Sequence, residues 1–92
     1  MNTTTSLQII EITTARQRRT TLLAASDLCA MHPEMIREFV RANWIAASKH
    51  GDSWYVDEVA ISRLRRIYEL HFRSGINLRT VRSILGLSLI HI

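Results

Sequence analysis

The 92-residue chain has one proline, Pro33, and its place constrains the fold more than any other residue. Proline cannot sit inside a helix, but it suits the first helical position, where its missing N–H is an orphan anyway. Residues 23–29 have helical character with Thr21 as N-cap, and Pro33-Glu34 opens a second helix with His32 at the cap. Only residues 30–32 remain between the two, so the sequence predicts two short helices joined by a tight turn. Met35, Ile36, Phe39 and Val40 give the second helix one apolar face, and it should end near Asn43.

Downstream, residues 45–56 read as a β-hairpin, with His50-Gly51-Asp52-Ser53 as the turn and Trp54-Tyr55-Val56 as the return strand. Asp57 caps a third helix that carries Ile61, Leu64, Ile67, Tyr68 and His71 on one side and runs to Gly75. Asn77 caps a fourth, with Leu78, Val81 and Leu85 as its apolar stripe. Near the N-terminus, residues 7–12 form a β-prone run, and Thr20-Thr-Leu-Leu23 reads either as a returning strand or as the lead into the first helix. The fold class is mostly α with a small β-hairpin wing, a winged helix-turn-helix with room for a short N-terminal β-strand.

Composition narrows the function. A single cysteine, Cys29, excludes an internal disulfide and leaves a structural zinc site short of thiolates. The Cys29-x-x-His32 spacing therefore reads as a buried thiol and a helix cap, and His71 as a satisfied histidine at the core boundary. No apolar run reaches the roughly 18 residues of a membrane span, and residues 1–6 lack the character of a signal peptide. The expectation is a cytoplasmic protein with no membrane partner. No nucleophile has a candidate base and no glycine-rich phosphate loop is present, so no catalytic residue, cofactor or metal is expected.

The formal net charge of +4 is unevenly spread: +2 over residues 1–20, −1 over 21–56 and +3 over 57–92. The two-helix and hairpin region is thus the least basic part of the chain. The tail Leu87-Ser-Leu-Ile-His-Ile92 is what CTG-TCT-CTT-ATA-CAC-ATC encodes, the mosaic end of a transposase-based sequencing adapter. Residues 87–92 are accordingly read as an adapter artefact to be checked against the source codons. Residues 1–6 are read as a flexible N-terminus, and residues 7–86 as one domain cut short in its last helix.

The run Leu28-Cys-Ala-Met-His-Pro-Glu-Met-Ile-Arg-Glu-Phe-Val40, the hairpin, Asp57-Glu-Val-Ala-Ile-Ser-Arg-Leu-Arg-Arg-Ile67 and Ser74-Gly-Ile-Asn-Leu78 together resemble the MerR-like helix-turn-helix proteins. Within them the chain is most similar to the chaperone-modulator (CbpM-like) branch. The resemblance spans residues 22–85, with Ala30 where a glycine is common. It implies a non-enzymatic modulator of a DnaJ-like J-domain co-chaperone, and a homodimer only where a longer C-terminal helix is present. A DNA-binding transcriptional regulator and an excisionase-like architectural protein are the alternatives on the same fold.

MerR-type regulators carry an Arg and two Tyr on the second helix and an Arg in the wing. Here Arg37 matches, but Glu38 and Phe39 stand at the tyrosine positions and the wing offers only Lys49 and His50. A carboxylate near phosphates opposes the counterion-release term that drives DNA binding. DNA contact, if made, is expected to be weak and to use Arg16, Arg18 and Arg19, with Arg37, Arg41 and Lys49 as the remaining candidates. A partner contact is expected at Glu34 and Glu38, facing the basic second helix of a J-domain, with Trp54 as aromatic anchor. Two plainer readings stand beside these. Glu34–Arg37 and Glu38–Arg41 have i,i+3 spacing and suit a solvated face. Of Trp54 and Tyr55, one should pack in the core and the other cover the wing.

Overall fold

The computed structural model describes residues 19–87. It is mostly helical, with one small antiparallel sheet of three strands. β1 is Thr20–Thr21, followed by α1 (Leu22–Cys29) and α2 (Pro33–Arg41). β2 (Ser48–His50) and β3 (Ser53–Val56) form the hairpin. α3 (Glu58–Ile67) runs into a π-helical stretch, Tyr68–Arg73, and α4 (Leu78–Leu85) completes the order. The β-prone run 7–12, Arg16, Arg18 and all but the first residue of the 87–92 tail lie outside the described residues.

Each expected cap is in place. Thr21 Oγ1 accepts from the Ala24 N–H at 3.1 Å, His32 Nδ1 from Glu34 at 3.0 Å, Asp57 Oδ1 from Ala60 at 2.9 Å and Asn77 Oδ1 from Thr80 at 2.9 Å. Such side chains satisfy N–H groups that the first helical turn leaves without partners, typically for about 1 kcal/mol each.

The helix ends are equally local. After α1, Ala30 turns left-handed (φ 53°), and the N–H groups of Ala30 and Met31 return to Asp27 and Ser26. After α2, Asn43 does the same (φ 65°), with Asn43 bonding to Val40 and Trp44 to Phe39. Both are Schellman motifs, and in each the following apolar residue, Met31 or Trp44, is buried. An L-residue in this region costs about 1–2 kcal/mol, against about 0.5–1 kcal/mol for the extra freedom of glycine. Ala30→Gly should therefore raise stability by about 0.5–1 kcal/mol and lift the melting temperature by a few degrees. A thermal melt showing destabilisation would reject the strain at Ala30.

Residues 20–21, read either as a returning strand or as the lead into the first helix, are both: β1 pairs with the free side of β3 (Thr20↔Val56, Thr21↔Tyr55), and α1 follows directly. One sequence expectation needs correction. The third helix is not α-helical to Gly75. From Tyr68 its turns widen, with Ser74 N–H bonding to Glu69 and Ile76 N–H to Leu70. The wider turn lets the His71 Nδ1–H donate to the Ile76 carbonyl at 2.7 Å. On α4 the apolar stripe packs inward. Val81 is fully buried, Leu78 and Leu85 pack against the core, and Ile84 is the exposed apolar residue. At the end of α4, Gly86 is at φ 63° and the Leu87 N–H returns to Arg82.

The core is one cluster drawn from α1, α2, β3, α3 and α4 together with the loops after α1 and α2. Ile36 and Phe39 of α2 meet Leu22, Ala25 and Cys29 of α1, Val56 of β3, and Ile61, Leu64 and Ile67 of α3. No polar or charged residue is buried among the described residues. No described helix is long and apolar enough to cross a membrane.

Candidate binding groove between the second helix and the wing

The periodicity of α2 sends Ile36 and Phe39 inward and leaves Glu34, Arg37, Glu38 and Arg41 outside. Two ion pairs form along it, Arg37–Glu34 at 2.7 Å and Arg41–Glu38 at 2.6 Å, all four side chains being 40% or more exposed. The acid of the first turn and the base of the last also complement the helix dipole. Exposed pairs of this kind add little stability. They do fix where the guanidiniums lie.

The other wall comes from the sheet. Side chains alternate along β3, so Trp54 shares a face with Val56, which is 1% exposed and part of the core. Trp54 continues that face past the edge of the core and is 40% exposed. Lys49 is its cross-strand partner, and directly opposed residues project from the same face. Leu22, Val40 and Trp54 make the apolar part of a groove of about 240 Å³, and Arg37 and Arg41 line it from α2.

The fold thus brings together Arg37, Arg41 and Trp54, with Lys49 in register beside Trp54. Glu34 and Glu38 lie on the same helix but do not line the groove, and both carboxylates are already engaged. Arg19 is elsewhere, lining a shallow depression with Ser48, Tyr55 and Asp57. Arg16 and Arg18 lie outside the described residues.

Cys29 is buried, its Sγ 4.0 Å from the Ile61 carbonyl, and burial pushes its thiol up from the ordinary range against a smaller opposing pull from Arg65. His32 spends Nδ1 on its helix cap. No three His, Cys, Asp or Glu side chains come together as a metal site among the described residues.

Sequence reasoning missed two residues. The tryptophan in the core is Trp44, 2% exposed and stacked on Phe39 with ring centroids 5.1 Å apart. Trp54 and Tyr55 both stay outside the core, contrary to the expectation that one of them fills it. The signal for Trp44 was the Asn43-Trp44 pair, an αL-tolerant residue and then an apolar one just past a helix. The second is Arg63, which donates from Nη1 to the Trp44 carbonyl at 2.8 Å. That contact spans 19 positions and left no local signal.

No protein-family model matches the chain, and searches of curated proteins and of solved structures give no significant match. The class that fold and groove define is a small helix-rich domain with a three-stranded sheet and an open groove lined by apolar and basic residues.

Proposed function

We propose that the chain is a non-enzymatic adaptor on a MerR-like winged helix-turn-helix, of the chaperone-modulator type, and that it binds a DnaJ-like co-chaperone through the side where α2 meets the wing. The observation that carries this reading is the groove: an apolar floor with a solvent-open tryptophan, beside a helix whose charges cancel within its own ion pairs. Protein interfaces favour an aromatic anchor with a polar rim. A DNA-reading helix instead gains its affinity from unopposed cations that displace counterions from phosphates.

DNA binding is the second reading, favoured by one observation: Arg37 and Arg41 line the groove and Lys49 is in register beside it. The experiment is a paired titration of the full chain against a J-domain and against duplex DNA, each at low and physiological salt. Saturable J-domain binding, with DNA binding that is weak, sequence-independent and lost at physiological salt, is expected. Tight binding to one duplex sequence, lost on Arg37→Ala, would instead make the protein a DNA reader.

A further inference from the structure

We propose that the groove between α2 and β3 is an anchor site for a helical protein segment that inserts one bulky apolar side chain and sets a carboxylate beside it. The proposal rests on the adaptor reading and adds the chemistry of the contact. A cavity of about 240 Å³ has room for one large side chain. Leu22, Val40 and the Trp54 indole supply its apolar surface, and the hydrocarbon stems of Arg37 and Arg41 extend it.

Charge selects the flank. Arg37 and Arg41 line the groove while Glu34 and Glu38 do not, so cations face inward and carboxylates outward. Each carboxylate takes one Nη1 of its arginine. A guanidinium has five N–H donors in a planar fork, so a second carboxylate can bind another edge. Lys49, across from Trp54, puts a further cation at the sheet side. A helix presenting an apolar side chain with an acid one turn away matches this pattern. A basic flank meets like charge, so the segment that enters this groove is an acid-bearing helix of the partner and not the basic second helix of a J-domain. Glu34 and Glu38 then act as positioning residues that hold the guanidiniums and compete with the incoming acid, the reverse of a contact in which these two carboxylates lead.

The test is two-dimensional NMR on the isotope-labelled full chain, titrated with three capped alanine-based helical peptides. One carries a central Leu with Glu one turn to either side, the second has Lys for Glu, and the third has Ala for Leu. The Glu/Leu peptide should shift the Trp54 indole resonance and spare that of Trp44, and the other two should shift neither. Trp54→Ala should weaken binding at least about tenfold. The double variant Glu34→Gln, Glu38→Gln should strengthen it about two- to threefold, because the competing acids are gone. Tighter binding of the Lys peptide, weakening in the Gln variant, or displacement of the Glu/Leu peptide by random-sequence duplex DNA at lower concentration would each overturn the proposal. J-domain binding that leaves Trp54 unmoved overturns the anchor site alone. A bound Glu/Leu peptide with no J-domain binding supports the site and overturns the choice of partner.

Discussion

Trp44→Ala is expected to remove a large part of the stability of the domain. The indole is 2% exposed and stacked on Phe39, itself fully buried, so truncation leaves a cavity at the junction of α2 and the loop after it. Large aromatic-to-alanine changes of this kind cost about 3–5 kcal/mol. A domain of this size holds only about 5–10 kcal/mol in all. Urea unfolding followed by far-ultraviolet circular dichroism should show a midpoint lowered by about a third or more. A loss below about 1 kcal/mol would mean that the loop collapses to fill the space. Trp44→Phe should be far milder. It keeps the stack and removes an indole Nε1–H that has no acceptor among the described residues, a burden of about 1–3 kcal/mol when buried.

Trp54→Ala should behave in the opposite way. Its side chain lies past the edge of the core, so unfolding free energy should stay within about 0.5 kcal/mol of the parent. Partner binding should fall by about 2 kcal/mol, a factor of about thirty, as for the central aromatic of an interface. The loss should sit mainly in the dissociation rate, because no charge is altered. Surface-based kinetics against a J-domain reads both rates. Binding unchanged by this variant would move the contact to another face.

The contrast between the two tryptophans shows what the sequence could convey. Local chemistry was legible: Thr21, His32 with Pro33, Asp57 and Asn77 cap their helices as their residue types require. The i,i+3 spacing on α2 likewise announced the pairs Glu34–Arg37 and Glu38–Arg41. What tertiary packing decides was not legible. Trp44 sits after a helix with no periodic neighbours, and its inward turn depends on the left-handed Asn43 and on Phe39 below it. The Arg63 tie to that loop joins residues far apart in the chain. The candidate site was half legible. Trp54, Arg37, Arg41 and Lys49 were named, yet only the register and the lining show that the cations, not the carboxylates, share a groove with the indole.

The hairpin loop has a further consequence for how such a surface can diversify. Gly51-Asp52 joins β2 and β3 in two residues, with Gly51 at φ 63°, the left-handed value that the first position of a type II′ turn needs. β3 is held from its other side by β1 and by the buried Val56, whereas β2 pairs with β3 alone. A residue added to the loop would therefore leave Trp54 where it is and slip β2, turning Lys49 to the outer face and bringing a neighbour, Ser48 or His50, opposite the indole. The Trp54 wall and the α2 arginines Arg37 and Arg41 are anchored while Lys49 beside the indole is adjustable, so a lineage could retune the polarity at the sheet edge of the groove by insertion or deletion in the loop without touching the core.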